Sequence, residues 1–226
     1  MVEQEKTENY ETIGRILSEA GFFLQARNET STAEGGVITT AYENIISKNT
    51  EADEDVNKDD VSVYNGSTAV EVAEIDAESG RITLVDKTIS EQLATTYHYS
   101  PVAVSFVKVT REDVQNRIRK KLSGMSGCSC AKTDEFKSSL RMITRLWSAG
   151  LLQTKDYGYN VDNEDTAKDG YRKINEAKSL LEELYNECAA ECGQDDVRGG
   201  AAEVIGGSGG NLFGEFKGGR PHSEEF

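Results

Sequence analysis

Apolar residues recur with helical spacing in the first part of the chain. They fall three or four residues apart, at Tyr10, Ile13, Leu17, Ala20 and Leu24. This spacing predicts an amphipathic helix up to about residue 24, weakened at Gly21. A polar stretch then ends in a glycine pair, which predicts a loop. Residues 1–35 are therefore expected to form an N-terminal helix and loop.

Short runs rich in valine, isoleucine, threonine and tyrosine follow. The predicted strands cover residues 37–46, 61–64, 69–74, 81–85, 95–99 and 102–107. Asn65-Gly66 and Glu78-Ser79-Gly80 predict tight turns between strands, because glycine adopts positive φ without steric cost. The acidic stretch 49–60 predicts a solvated loop. Residues 36–108 are expected to form an inserted antiparallel β domain.

Helical spacing returns in the second half of the chain. Thr110 and Asp113 have the spacing of a capping pair, and apolar residues follow at every fourth position. A second helix is therefore predicted to begin at Thr110. Two further apolar stripes predict helices over about residues 133–152 and from about residue 167 onward. Trp147 lies on the first of these stripes and is expected to be a core residue.

The combined patterns predict an α+β fold: a small helical bundle over residues 109–192, with the β domain inserted before it. Residues 193–226 hold ten of the 21 glycines and cannot bury enough apolar surface to offset their ordering entropy. They are expected to form a flexible Gly-rich tail. Candidate anchors for a partner protein are spaced along it: Leu212, Phe213, Phe216, Arg220 and Phe226. A disordered tail with incidental aromatics is the alternative.

The four cysteines form two closely spaced pairs, Cys128 with Cys130 and Cys188 with Cys192. If the last two helices are antiparallel, a rise of about 1.5 Å per residue brings both pairs to one end of the bundle. Such a group can bind zinc, form disulfides, or stay reduced as small apolar residues. Neither spacing is that of the usual zinc knuckle. No other cofactor is expected.

Composition narrows the classes of function. Forty acidic residues oppose 25 basic ones, and the net charge of −15 argues against a duplex-binding surface of clustered lysine and arginine. The same charge suits a protein of a high-salt (halophilic) environment, or a channel wall that DNA slides past. Catalysis finds little support, because His98 alternates within a predicted strand and His222 lies in the predicted flexible tail, so the pattern places neither in a catalytic arrangement. We therefore expect a protein that is not an enzyme.

The sequence shows no signal for a membrane. The polar residues 1–9 lack the basic start and apolar run of a signal peptide. No run of about 18 apolar residues occurs anywhere in the chain. We expect a soluble protein without a membrane partner.

Several segments in the middle of the chain carry a further pattern. They are an acidic turn with a Tyr97-His98-Tyr99 strand in 74–100, a helix start at 109–114, the Trp147 helix closing at 155–159, and the helix 177–192. Together they resemble head-to-tail connector, or adaptor, proteins of tailed phages and tailed archaeal viruses. The resemblance covers about residues 61–192 and does not include the N-terminal helix.

The resemblance implies a structural virion protein. Members of this family form rings, commonly twelvefold, under the portal; they extend the DNA channel and join head to tail. It therefore implies a dodecameric ring of identical copies, the portal protein above and a tail or stopper protein below. DNA would pass through without specific binding. The protein would be made in the host cytoplasm and lie in the virion neck, with its C-terminal segment docked on the portal.

Two other interpretations are open. A tail-completion or stopper protein of the same neck would share the ring symmetry but contact the tail tube. From another class, a β-sandwich binding module on a helical support would present residues 37–107 to a surface ligand.

Overall fold

The computed structural model describes residues 10–51, 56–125, 127–154 and 164–192. The described helices are α1 (Ile13–Ala20), α2 (Val104–Lys121), α3 (Asp134–Thr154) and α4 (Glu164–Glu191). The described strands are β1 (Leu24–Thr32), β2 (Val37–Thr39), β3 (Ile45–Ile46), β4 (Ser62–Asn65), β5 (Thr68–Val70), β6 (Val72–Asp76), β7 (Arg81–Leu84) and β8 (Gln92–Tyr99). The chain has the predicted α+β fold.

The strands form two small antiparallel sheets. One has the order β1-β8-β4-β5, with β3 also paired to β8, and the other has the order β2-β7-β6. Both predicted hairpins are present: Gly66 joins β4 to β5 with a φ of 59°, and Gly80 precedes β7 with a φ of 67°. Inward-facing side chains of both sheets, such as Ile38, Ile82 and Tyr97, share one apolar core. Alternate residues of β8 enter this core, as expected for a strand with one buried face.

A second core lies between α2, α3 and α4. Trp147 is buried in it with Phe136 and Leu140 of α3, Ile118 of α2 and Leu181 of α4. The predicted core role of Trp147 is therefore confirmed. The α3 helix extends slightly past its predicted end, and α4 begins a few residues before its predicted start, which is the ordinary uncertainty of helix boundaries.

The predicted N-terminal loop is wrong over most of its length, because it contains β1. Helix α1 ends at Ala20, where Gly21 adopts a φ of 75° and caps the helix. The chain then pairs with β8 from Leu24 to Thr32. Only Ala26 of β1 is buried, so the strand has almost no apolar pattern. Backbone hydrogen bonds to β8, rather than apolar burial, define it.

The predicted strand over residues 102–107 is wrong, since α2 begins at Val104. Thr110 is consequently not a helix cap; it is buried in the interior of α2, 3% exposed. Pro101 lacks the N–H that would continue a ladder, and the Ser100 hydroxyl accepts a hydrogen bond from the Val102 N–H. The chain therefore turns directly after β8. Packing of this valine-rich segment against the helices overrides its strand propensity.

The predicted strand over residues 37–46 is two short strands, β2 and β3. Between them Asn44 adopts a positive φ of 56°, a conformation that interrupts a strand and that asparagine tolerates better than most residues. The division of the chain into four domains stays a prediction, although α2 crosses the proposed boundary at residue 108.

A buried acidic residue joins α1 to the helical bundle. The side chain of Glu11 is 2% exposed and lies 3.7 Å from Arg15 and 4.0 Å from Arg145 of α3. It also accepts a hydrogen bond from the Thr12 N–H at 3.0 Å. Arg111 of α2 donates to the backbone carbonyl of Glu11 at 3.0 Å. These contacts tie the start of α1 to α2 and α3.

Helices α3 and α4 approach each other closely at a pair of glycines. A Cβ atom placed on Gly150 would lie 2.6 Å from the carbonyl oxygen of Gly170 and 3.1 Å from the backbone nitrogen of Ile174. A Cβ atom on Gly170 would lie 2.8 Å from the carbonyl oxygen of Gly150. Glycine disfavours a helix interior, so its presence on both helices reflects this close crossing.

Substituting Gly150→Ala is expected to lower the free energy of unfolding. The added methyl group meets backbone atoms of α4, and overfilling a packed site in this way costs about 1–3 kcal/mol. The higher helix propensity of alanine offsets about 1 kcal/mol of that cost. Urea unfolding followed by circular dichroism measures the change. Gly127→Ala is the matched control, because no heavy atom lies within 4 Å of its Cβ position. Equal stabilities of the two variants would contradict the close crossing.

Candidate functional site

The four cysteines meet at one end of the helical bundle, as the helix arithmetic predicted. Cys128 pairs with Cys192 and Cys130 pairs with Cys188, with Cα–Cα distances of 5.8 Å and 5.6 Å. These distances are in the range of disulfide bonds. The sulfurs of Cys130 and Cys192, which belong to different pairs, lie 3.9 Å apart. We call this group the cysteine cluster.

Regular backbone positions both halves of the cysteine cluster. Cys188 and Cys192 are one helical turn apart at the end of α4, where the Cys192 N–H donates to the Cys188 carbonyl at 3.1 Å. Cys130 opens a short 3₁₀ helix, Cys130–Lys132, before α3. The Thr133 hydroxyl donates to the Cys130 carbonyl at 3.0 Å and accepts from the Phe136 N–H at 3.1 Å. The start of α3 therefore holds Cys130 in place.

Burial differs between the two pairs of sulfurs. Cys188 is 1% exposed and Cys130 is 8% exposed, whereas Cys128 and Cys192 pack only partly buried against the same core. The cluster thus has an inner pair and an outer pair. Cys188 belongs to the apolar core between α2, α3 and α4.

A shallow cavity of about 270 Å³ adjoins the cysteine cluster. Phe136 and Leu184 form part of its lining, and the carboxylate-bearing residues Glu135, Glu187 and Glu191 form its acidic part. An acidic lining attracts cations and repels anions. Sequence reasoning missed this cavity, because its residues come from α3 and α4 and are adjacent only in the folded chain.

The predicted tail begins directly after the cysteine cluster. Cys192 is the last described residue, and the candidate anchors lie outside the described residues: Leu212, Phe213, Phe216, Arg220 and Phe226. His222 lies outside them as well. The described part of the chain therefore ends at the cysteine cluster.

His98, one of the two histidines weighed for catalysis, is part of β8. Its ring lies 5.1 Å from the ring of Phe23, measured between centroids. Burial lowers the pKa of His98, and the nearby carboxylate of Asp60 opposes that shift. The neutral imidazole is thus favoured, and its aromatic neighbour fits a packing role in the β sheet.

Tyr97, next to His98, has a buried polar contact. Its hydroxyl donates to the carboxylate of Glu29 on β1 and accepts from the Tyr42 N–H at 3.3 Å. Burial, followed by the hydrogen bond to Glu29, raises the pKa of Tyr97 well above its usual range. Tyr99 stacks on Tyr42, with ring centroids 4.1 Å apart. The Tyr-x-Tyr strand is therefore a structural part of the β core.

A second cavity, of about 180 Å³, lies where the β part meets α1 and α2. Ile13 and Leu17 of α1, Ile45 of β3 and Val104 of α2 contribute apolar lining. Its volume and lining suit an apolar side chain. Sequence reasoning missed it, since β3 and the start of α2 were both assigned differently.

Comparisons with protein-family models, curated protein sequences and solved structures give no match to this chain. Among the described helices, none has the length and apolarity needed to cross a bilayer. The structure thus defines the class of this chain as an α+β fold.

Substituting Tyr97→Phe is expected to make the free energy of unfolding less dependent on pH in the alkaline range. A tyrosine has a pKa of about 10 when unfolded, and the folded pKa of Tyr97 is higher. The contribution of Tyr97 to the free energy of unfolding is therefore complete below about pH 10. It is lost as the pH rises further, because the unfolded chain then binds fewer protons than the folded chain. Urea unfolding at pH values from about 8 to 11 measures the slope.

Tyr64→Phe is the matched control for this experiment, because Tyr64 is 41% exposed. Its curve should run parallel to that of the wild type, whereas the Tyr97→Phe curve should fall less steeply above about pH 10. Parallel curves for all three proteins would show that Tyr97 titrates normally in the folded chain.

Proposed function

We propose that this chain is the subunit of a head-to-tail connector, a structural virion protein that forms a ring beneath the portal. It extends the DNA channel and joins the head to the tail. In this function the chain acts through its shape and its contacts, and no residue is catalytic. The observation that carries the proposal is the composition of residues 193–226 together with their point of attachment.

The point of attachment suits a docking segment. Cys192 and Cys188 anchor the end of α4 to the residues before α3 through the cysteine cluster. A segment that starts from a fixed point searches a smaller volume, so its effective concentration near a neighbouring surface is higher. Glycines let its backbone lie close to a partner, while spaced apolar side chains fill pockets.

The charge of the chain suits the wall of a DNA channel. A net charge of −15 repels phosphates and opposes sticking of the passing duplex. Basic side chains at the end of α2 are engaged by acids: Arg117 lies 2.8 Å from Asp113, and Lys121 lies 2.8 Å from Glu182. Such pairs reduce the positive charge available to phosphate. DNA then passes without specific binding.

Only some of the segments that resemble connector proteins form the predicted elements in the described fold. The acidic turn is the β6–β7 hairpin, and the Tyr-x-Tyr segment is β8. Residues 109–114 are interior to α2 and do not start a helix. Residues 155–159 lie outside the described residues. The likeness therefore rests on the hairpin, β8, the Trp147 helix and α4.

One observation favours the binding-module alternative. Tyr42 and Tyr64, both on the β part, are 45% and 41% exposed, and exposed tyrosines are frequent in recognition surfaces. A stopper protein would use the same ring geometry as a connector and differ in contacting the tail tube. The connector, stopper and binding-module functions are therefore distinguished by the partner that the chain binds.

Native mass measurement of the full chain with the portal ring of the same virus tests the proposal. We expect many copies, twelve for a complete ring, to add to one portal ring in high and in low salt. Deleting residues 193–226 should abolish this addition, because the docking anchors are lost. A persistent monomer that ignores the portal would overturn the connector function; binding to the tail tube alone would assign a stopper.

Substitutions within the segment sharpen this test. Replacing Leu212, Phe213, Phe216 and Phe226 by serine keeps the length and the glycines but removes the apolar anchors. This variant should lose portal binding. Asn211→Ser and Glu215→Ser together are the matched control and should retain it. Equal binding by both variants would assign the docking to another surface.

A further inference from the structure

Three sulfurs of the cysteine cluster, those of Cys128, Cys130 and Cys192, lie close together, and the fourth, that of Cys188, is paired with Cys130. We propose that the reduced chain binds one Zn²⁺ ion through the thiolates of Cys128, Cys130, Cys188 and Cys192. The proposal concerns this site alone and does not depend on the connector function.

The spacing between sulfurs of different pairs supports a single metal ion bound by both pairs. The sulfurs of Cys128, Cys130 and Cys192 all lie within 4.8 Å of one another. Those of Cys130 and Cys192 are 3.9 Å apart. In a tetrahedral site with Zn–S bonds of about 2.3 Å, neighbouring sulfurs are about 3.8 Å apart. The distance across the pairs is therefore that of one edge of a zinc tetrathiolate.

The backbone around the cluster is suited to hold a metal. Cys188 and Cys192 project from adjacent turns of one helix, and Cys130 is fixed by the 3₁₀ helix and the Thr133 hydroxyl. Ligands on regular elements are positioned more precisely than ligands on loops. The inner sulfurs are shielded by the core, while the partly buried Cys128 and Cys192 leave a route for the ion from solvent.

Zinc binding and disulfide formation are alternative states of the same four thiols. On binding, four S–H protons leave, four Zn–S bonds form, and no electrons are transferred. On oxidation, the four thiols lose four protons and four electrons, and two S–S bonds form. Dioxygen accepts these electrons and protons and becomes two water molecules; when the zinc-bound thiolates are oxidised, the four protons come from the solvent and the ion is released. The paired sulfurs of the structure correspond to the oxidised state.

Zinc content of the full-length protein, purified without oxygen and with a phosphine reductant, tests the site. We expect one zinc per chain by plasma mass spectrometry. Cys130→Ser and Cys188→Ser should each lose the bound zinc. Ser129→Ala is the matched control: Ser129 lies between two of the ligands, is exposed, and its variant keeps all four thiols. It should retain zinc at the wild-type level.

Cobalt provides a readout that does not require any variant to fold. Co²⁺ added to the reduced wild-type chain should give the intense thiolate-to-metal and visible bands of a tetrahedral sulfur site, and Zn²⁺ should displace it. A folded, reduced chain that contains no zinc, and that gives only the weak spectrum of hydrated Co²⁺, would overturn the proposal. Retention of zinc by both cysteine variants would overturn it as well.

Discussion

The antiparallel contact between α3 and α4 is the constraint on which the rest of the helical part depends. Gly150 and Gly170 let the backbones approach closely near one end of this pair, and the cysteine cluster joins the residues before α3 to the end of α4 at the other. Trp147 and the other core side chains fill the space between. With both ends held, the position of Cys192, the last described residue, is determined by the packing of two helices.

Buried polar contacts connect the remaining parts of the chain to this pair. Glu11 links α1 to arginines of α2 and α3. Lys173 of α4 reaches the carboxylate of Glu19 at 3.4 Å and so returns to α1. Within the β part, Tyr97 of β8 is joined to Glu29 of β1. Buried charges and hydroxyls require partners, so these contacts fix relative positions that apolar burial alone would leave less specific.

The cysteine cluster has a double significance for the proposed functions. In the proposed connector function, its connection between α4 and the segment before α3 would hold the start of the docking segment in place. As a group of four thiols with an acidic neighbourhood, it provides a zinc site in reducing surroundings and crosslinks in oxidising ones. Both uses depend on the same geometry, although each is tested by a different measurement. The metal site would hold whether the chain joins a portal, a tail tube or another partner.

Local spacing and turn residues determined the α+β class, both glycine hairpins and the core position of Trp147, whereas the meeting of the four cysteines also required the antiparallel arrangement of α3 and α4. The same patterns predicted β1 and the start of α2 incorrectly. The polar β1 is defined by its backbone pairing with β8, and the valines before Thr110 are drawn into a helix by packing. Asp60, predicted to be solvated, is buried and accepts hydrogen bonds from Ser47 and the Lys48 N–H. Only the tertiary structure decided these points, since each depends on a partner distant in the sequence.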